Sequence, residues 1–157
     1  MIYKIKQKVF SLGAKFNIKD EADRDVFIVQ GEVFSLGKKL RLMDLEENEL
    51  VYIEQEFFRF LPLYNIYRHG QIVATVKKKL TLFRTEFMIE SSQKNYTMEG
   101  NIMAHEYTIF SDDGLVAKIS KEWFTFGDTY GVEINDDEDQ ALILALVIVL
   151  DQVCHEG

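Results

Sequence analysis

The sequence predicts a mainly β (α+β) fold: a closed antiparallel barrel of twelve strands around a central, hydrophobic C-terminal helix. Two observations lead to this prediction. The chain repeats itself at intervals of 23 or 24 residues, and each repeat contains two segments with the pattern of β-strands. Near the C-terminus, residues 141–150 are apolar without interruption. A helix that is apolar on all sides must be enclosed by other protein, so the repeats are expected to enclose it.

The clearest repeat contains the pentapeptide VFSLG. Residues 8–20, KVFSLGAKFNIKD, return as EVFSLGKKLRLMD at residues 32–44, with seven of thirteen positions identical and an offset of 24. Self-similarity at a fixed short period is typical of proteins built from one repeated structural unit.

A weaker series extends the repeat along the chain. Apolar positions in residues 50–66 correspond to positions in residues 73–89 and 116–132, at offsets of 23 and 43. The larger offset is close to two units, which predicts one divergent unit at about 96–115. Six units then fill residues 3–135.

Each unit has the pattern of two strands. Tyr3 and Ile5 alternate with lysines, and dipeptides typical of turns, such as His69-Gly70 and Asp113-Gly114, separate the segments. Six units of two strands give twelve. Strands of similar length bury their inner faces and lose their exposed edges when the sheet closes on itself.

The apolar run near the C-terminus predicts the helix in the middle of this barrel. About ten residues are too few to span a bilayer, which takes roughly 20, so we expect no transmembrane segment. A barrel of twelve strands is wider than side chains can fill, since about eight strands already fill theirs. We therefore expect one domain over residues 1–157, with strands within about 3–135 and the helix at about 137–154.

Composition favours a compact intracellular protein. The 157 residues are 47% hydrophobic and 13% aromatic, which disfavours disorder. The N-terminus alternates polar and apolar residues and lacks the charged and then apolar segments of a secretory signal. Cys154 is the one cysteine of the chain and has no partner for an intramolecular disulfide. We expect a cytoplasmic location.

Charge is distributed unevenly along the chain. The net charge is −8, which argues against general nucleic-acid binding. Residues 1–41 nevertheless carry nine Lys or Arg against five Asp or Glu, whereas residues 128–157 contain eight acidic residues and no Lys or Arg. Different faces of the protein should therefore suit different partners.

Three segments resemble the LURP-one-related family: the doubled VFSLG, LPLYNIYRHGQIVATVKKKLTLFR, and SKEWFTFGDTYGVEI with the acidic and apolar run that follows it. The resemblance covers essentially all 157 residues. It implies a fold similar to the tubby C-terminal domain and the phospholipid scramblases, a twelve-stranded barrel around a hydrophobic C-terminal helix. It implies little about activity: the family includes small bacterial proteins without settled roles and plant proteins associated with defence, and binding of phosphoinositide headgroups belongs to the tubby domains.

Two basic clusters are candidates for binding an anionic headgroup. Ammonium and guanidinium groups suit phosphate oxygens, and each such group contributes roughly 1 kcal/mol near an anionic membrane. The alternative is that these side chains are a solvated outer face of the barrel. The candidates are Lys38, Lys39, Arg41, Lys77, Lys78, Lys79 and Arg84.

The acidic run Asp136-Asp137-Glu138-Asp139 raises the possibility of a calcium site. It lacks the alternating ligands, central glycine and distal glutamate of an EF-hand loop. Carboxylates before a helix accept hydrogen bonds from its free N–H groups and complement its positive end. We expect Asp136 or Asp137 to cap the helix, and no metal site.

Catalytic motifs are absent from the sequence. His69, His105 and His155 are not in the spacing of a triad or a metal site, and there is no GxSxG, P-loop or HExxH. Cys154 at the end of an apolar helix should have a raised pKa and be inert. We expect neither an enzyme nor a cofactor. A cleft built from distant residues, such as His105 and Glu106, is the alternative.

The aromatic segment WFTFGDTYGVEI, residues 123–134, is the last candidate. Dense aromatics can bind ligands, but the glycines favour a tight hairpin that closes the barrel, with Trp123, Phe126 and Val132 turned inward. On that hypothesis Trp123→Ala should cost about 3 to 5 kcal/mol as a core cavity.

Two functions follow from these features. The first is a non-enzymatic cytoplasmic module whose outer surface binds an anionic phospholipid headgroup, so that the protein associates peripherally with the membrane. The second is a protein-interaction or scaffold domain, for which the acidic C-terminal face would bind an unknown protein. Sensitivity of membrane association to salt would distinguish them.

Overall fold

A computed structural model describes residues 1–6, 15–32, 38–56, 60–80, 85–124 and 128–154. In these residues the chain forms twelve β-strands followed by one α-helix. The elements in chain order are β1 (Ile2–Lys6), β2 (Lys15–Asp20), β3 (Asp25–Gly31), β4 (Lys39–Met43), β5 (Glu49–Gln55), β6 (Leu63–Arg68), β7 (Gln71–Leu80), β8 (Thr85–Ser91), β9 (Tyr96–Asn101), β10 (Glu106–Ser111), β11 (Gly114–Ser120), β12 (Thr129–Ile134) and α1 (Gln140–Cys154).

The strands form one closed barrel. Each strand pairs antiparallel with its neighbours in sequence, and β1 also pairs with β12, where Tyr3 lies opposite Val132. Closure satisfies the backbone groups that an open sheet would expose at its edges. The predicted twelve-stranded antiparallel barrel is confirmed for the described part of the chain.

The six repeat units correspond to six successive strand pairs, from β1 and β2 to β11 and β12. The divergent unit predicted at about 96–115 forms β9 and β10. Between β6 and β7, His69 and Gly70 both have positive φ, 52° and 76°, as a two-residue hairpin turn requires. The two VFSLG copies, residues 9–13 and 33–37, lie outside the described residues.

The inward faces of the strands and the whole of α1 form the core. Along β1, Tyr3 and Ile5 are buried, and Lys4 and Lys6 lie on the outer face. Every residue of α1 from Leu142 to Val153 is buried. Apolar and polar residues alternate along the strands because one face of the sheet is exposed to water. The helix is apolar on all sides because the barrel surrounds it.

The start of the helix differs from the prediction. α1 begins at Gln140, and the carboxylate of Asp139 accepts a hydrogen bond from the backbone N–H of Leu142 at 3.2 Å. Asp139 is thus the N-cap. The expected cap at Asp136 or Asp137 is wrong because residues 135–138 form a turn, in which the N–H of Glu138 donates to the carbonyl of Asn135 at 3.1 Å.

Asp136 has a different contact. Its Oδ1 lies 2.8 Å from the N-terminal amine of Met1, whose nitrogen also donates to the carbonyl of Ile134 at 2.9 Å. The hydrogen bond to the amine lowers the pKa of Asp136. This acidic residue therefore ties the start of β1 to the chain that follows β12.

Trp123 lies on the outer face of the barrel, not in the core. Residues 122–123 form a turn after β11, so the strand alternation that predicted an inward ring has already ended. A Cβ built on Gly131 would lie 2.5 Å from Trp123 Cε3 and 2.9 Å from Phe124 Cε2. Both rings therefore rest on the backbone of β12 from outside. Because Trp123 is half-buried, Trp123→Ala should cost less than a core cavity; Phe126 lies outside the described residues.

Candidate functional site

The lysine run of residues 77–79 lies at the end of β7, beside the connection from β5 to β6. Lys77 is opposite Leu63 of β6, and the backbone N–H of Lys78 donates to the carbonyl of Pro62 at 3.1 Å. A cleft of about 460 Å³ is lined by these lysines and by residues 60–63. The end of β7 and this connection together form one surface.

Strand alternation divides the run between two sides. Successive side chains of a strand point to opposite faces, so Lys78 shares the inward side of Val76, whereas Lys77 and Lys79 point outward. Burial and, second, the charge of Asp151 raise the pKa of the Cys154 thiol to about 11, and the charge of Lys78 opposes this rise. Lys78 thus faces the C-terminal end of α1. Lys77 and Lys79 are therefore the two lysines of the run on the outer face of β7, and Lys78 lines the cleft from the inward side.

Phe60 completes this surface and was not among the predicted residues. Its side chain is 93% exposed, next to the half-buried Leu61 and Pro62. We define the basic-aromatic surface as Phe60, Leu61, Lys77 and Lys79. The sequence signal for Phe60 was the aromatic-rich segment FFRFLPL at residues 57–63, whose proline at position 62 is typical of a connection and not of a strand interior.

In the second predicted cluster, two of the three basic residues lie beside acidic residues. Arg41 Nη2 lies 3.3 Å from Glu32 and Arg41 Nε lies 3.6 Å from Glu49. Lys39 is directly opposite Glu54 across β4 and β5. The backbone N–H of Lys38 donates to the side chain of Gln55 at 3.3 Å. These contacts agree with the solvated-face interpretation of Lys38, Lys39 and Arg41.

The structure does not bring the two clusters together. Strands β5 and β6 lie between β4 and β7, which at about 4.8 Å per strand separates the clusters by roughly 14 Å. Arg84 lies outside the described residues. Of the predicted headgroup residues, Lys77 and Lys79 are therefore the pair with an outward position and an apolar neighbour.

A buried polar cluster lies inside the barrel, near the C-terminal end of α1. His105 Nε2 is 2.6 Å from Asp151 Oδ1, and the side chains of the two residues are 1% and 2% exposed. The hydroxyl of Tyr130 donates to Asp151 Oδ2 at 3.3 Å, and its ring stacks on the imidazole with centroids 4.2 Å apart. Burial, followed by the charge of Asp151, holds the pKa of Tyr130 well above its ordinary value.

This cluster joins the helix to the barrel wall. Asp151 is on α1, Tyr130 on β12, and His105 directly precedes β10 with a left-handed φ of 55°. Glu106 instead accepts from Ser120 Oγ at 3.0 Å and from the backbone N–H of Lys121 at 2.8 Å. The predicted pair of His105 and Glu106 therefore acts in two separate contacts. Asp151, an acidic residue directly after the apolar run 141–150 of this helix, was the sequence signal for a buried partner.

Among residues 1–154, leaving aside the undescribed segments, no group of three or more His, Cys, Asp or Glu side chains could hold a metal ion. The same part of the chain has no helix with the length and hydropathy needed to cross a bilayer.

The fold and its outward-facing surfaces define a closed β-barrel that is filled by its own C-terminal helix. The chain belongs to the LURP-one-related family, whose model matches residues 1–151. It is 35% identical over 151 residues to the uncharacterized protein YxjI of Bacillus subtilis (strain 168), covering 96% of this chain and 92% of that protein.

A solved structure of a plant protein has the same fold. The X-ray structure of a protein from Arabidopsis thaliana superposes with a TM-score of 0.69 at 18% sequence identity, covering 97% of this chain and 91% of that one. The resemblance to the LURP-one-related family that the sequence suggested is thereby confirmed, in family and in fold.

Proposed function

We propose that the protein is a non-enzymatic binding module that associates peripherally with anionic phospholipid membranes from the cytoplasmic side. The observation that supports the proposal most directly is the basic-aromatic surface: Phe60, 93% exposed, beside the outward ammonium groups of Lys77 and Lys79. Each part of this surface has a counterpart in a membrane interface.

The aromatic part suits the boundary between headgroups and acyl chains. A phenylalanine ring left in water forgoes a burial free energy of roughly 1.5 to 3 kcal/mol, and large aromatic and aliphatic side chains anchor peripheral proteins at this depth. Phe60 and Leu61 project from a connection rather than from a strand. They can therefore enter the interface without any change in the barrel.

The basic part suits the anionic surface. Lysines near an anionic leaflet contribute about 1 kcal/mol each, and salt screens the attraction. Lys77 Nζ is 3.6 Å from Glu90, and the two side chains are 37% and 58% exposed. Surface ion pairs of this kind stabilise by at most about 1 kcal/mol, so exchanging Glu90 for a lipid phosphate costs little.

Co-sedimentation with vesicles tests the proposal. Wild-type protein would be mixed with phosphatidylcholine vesicles and with vesicles that also contain phosphatidylglycerol, at low and at physiological salt. We expect binding to the anionic vesicles only, weakened by salt. Lys77→Glu/Lys79→Glu should weaken binding by at least about 30-fold, the equivalent of two lysine contacts. Phe60→Ser should weaken it without changing the salt dependence.

The matched control reverses two lysines away from this surface, Lys118→Glu/Lys121→Glu, and so changes the net charge equally. Because both variants have the same net charge, a contact at the basic-aromatic surface predicts that the control binds anionic vesicles clearly better than Lys77→Glu/Lys79→Glu. Equal loss in both variants would show that net charge and not this surface governs binding. Absence of binding to anionic vesicles at low salt would refute the lipid proposal and direct the search to a protein partner for Phe60.

A further inference from the structure

A second basic surface lies on the other side of the barrel, where four lysines surround aromatic rings. We define the lysine groove as the cavity of about 990 Å³ whose lining includes Lys4, Lys6, Lys15, Lys19, Trp123 and Phe124. Cavities that bind small molecules commonly measure about 300 to 1,000 Å³. The groove is therefore large enough for a compound of nucleotide size.

Three neighbouring strands build the groove from their outer faces. On β1, Lys4 lies opposite Gly131 and Lys6 lies opposite Thr129 of β12. On its other side β1 pairs with β2, whose outward residues include Lys15 and Lys19. The barrel closure between β1 and β12 is thus what brings lysines from the start of the chain to aromatic residues near its end.

Gly131 makes room for the aromatic wall. Because a Cβ at this position would lie 2.5 Å from the Trp123 ring and 2.9 Å from the Phe124 ring, only glycine lets both rings lie against the sheet. Lys4 Nζ lies 4.6 Å from the centroid of the Phe124 ring, in a cation–π contact. Cationic and aromatic groups are therefore in direct contact at the floor of the groove.

Two of the four groove lysines lie directly opposite each other and are paired with surface carboxylates. Lys4 and Lys19 lie directly opposite each other across β1 and β2, and like charges in this position are destabilising. Asp23 lies 2.9 Å from Lys4, and Asp25 lies 2.7 Å from Lys19, so each ammonium has a carboxylate at the surface. Asp23 is 72% exposed, and an exchange of such a surface partner for another anion costs little.

We propose that the lysine groove binds a small phosphorylated aromatic compound, with its phosphate on the ammonium groups and its planar ring against Trp123. A phosphate would replace the surface carboxylates that now pair with Lys4, Lys15 and Lys19. The two rings suit a planar apolar part. The proposal is independent of membrane binding. Strand β1 is six strands from β7 in either direction around the barrel, so a protein held to a membrane by the basic-aromatic surface keeps the lysine groove open to solution.

The chain supplies its own reporter for the test. Trp123 is the single tryptophan of the protein, so its fluorescence, excited at the red edge where adenine does not absorb, reports occupancy of the groove. Adenosine 5′-monophosphate would be the probe, with adenosine, inorganic phosphate and glycerol phosphate as partial probes. We expect saturable quenching by adenosine 5′-monophosphate at concentrations at least about tenfold lower than by any partial probe.

Two variants locate the binding. Lys6→Gln/Lys15→Gln removes two exposed groove lysines and should raise the dissociation constant about tenfold or more. Lys118→Gln/Lys121→Gln removes the same charge away from both basic surfaces and should leave the dissociation constant unchanged. Thermal melting of both variants checks that they are folded.

Each other outcome overturns part or all of the proposal. No quenching by adenosine 5′-monophosphate at millimolar concentration, or equal affinity in the two variants, would refute the site. Adenosine as effective as its monophosphate would refute the role of the lysines. Inorganic phosphate or glycerol phosphate as effective would refute the role of the ring and point to a lipid-type headgroup. Lys6→Glu/Lys15→Glu should then lose more vesicle binding than Lys118→Glu/Lys121→Glu, which changes the net charge equally outside the groove.

Discussion

The two ends of α1 are held in the barrel by contacts of opposite character. At the N-terminal end, the carboxylate of Asp139 caps the helix and forms a bidentate pair with Arg68, with side chains 40% and 30% exposed. At the C-terminal end, His105 and Asp151 meet at 2.6 Å with 1% and 2% exposure. Water screens the first pair and is excluded from the second.

The difference in exposure between the two pairs indicates which end of α1 sets the position of the helix. A single exposed pair typically stabilises by about 1 kcal/mol or less, whereas a buried polar pair that loses one partner costs about 3 to 5 kcal/mol. A shift of α1 by one turn would separate Asp151 from His105. The buried end therefore specifies the register of the helix, and the exposed end orders the chain where it enters the barrel.

Deleting the whole of α1 should have the largest effect on stability. A fragment of residues 1–135 lacks α1 and exposes the inward faces of the strands that now pack on it. Burial of about ten large apolar residues contributes roughly 15 to 30 kcal/mol before entropy is subtracted, well above the net stability of a domain. We expect the fragment to be unfolded by circular dichroism. A soluble fragment with a cooperative thermal transition would contradict the role of α1 as the core.

The next largest effect should come from the buried end. His105→Ala removes the imidazole from the carboxyl of Asp151, and we expect a loss of about 3 kcal/mol or more in urea unfolding. The double variant His105→Phe/Asp151→Leu replaces the pair by apolar groups and should recover most of that loss. A cost below about 1 kcal/mol for His105→Ala, or no recovery in the double variant, would show that the pair does not fix the helix.

Much of the architecture was predictable because it depends on local pattern. A repeat of 23 or 24 residues with alternating side chains specifies strand pairs, and a helix that is apolar on all sides requires enclosure. The start of α1 was misplaced by three residues because any of four successive acidic residues could cap it. Trp123 was placed in the core because the repeat series was extended into a turn, where alternation no longer applies.

The candidate sites were less predictable because they depend on contacts between distant residues. The run of residues 77–79 appears as one basic cluster in the sequence, but strand alternation sends Lys78 inward. The lysine groove combines residues of β1 and β2 with Trp123, more than a hundred residues away, and only the pairing of β1 with β12 joins them. No single segment carries that signal.

A smaller effect should come from the exposed end. Asp139→Ala removes the hydrogen bond to Leu142 and the partner of Arg68, and loss of an N-cap costs about 1 kcal/mol. Asp137→Ala is the matched control, because Asp137 is exposed and lies in the same acidic run; it should change the stability by less than about 0.5 kcal/mol. Urea unfolding of both variants makes the comparison. Equal costs would show that the net acidity of the run matters and the cap does not.

The smallest effect should be the pH dependence of the same end. Hydrogen bonding to Arg68 lowers the pKa of Asp139 in the folded protein, so the ionised carboxylate stabilises the fold above its unfolded-state pKa of about 4. This contribution is lost as the pH falls from about 4 through the lowered folded-state value, and exposure keeps it below about 1 kcal/mol. We therefore expect the stability difference between wild type and Asp139→Asn to be full at pH 5 to 7 and to shrink towards pH 3. A difference that stays constant over this range in urea unfolding would show that Asp139 acts through its shape and its neutral hydrogen bonds, and not through its charge.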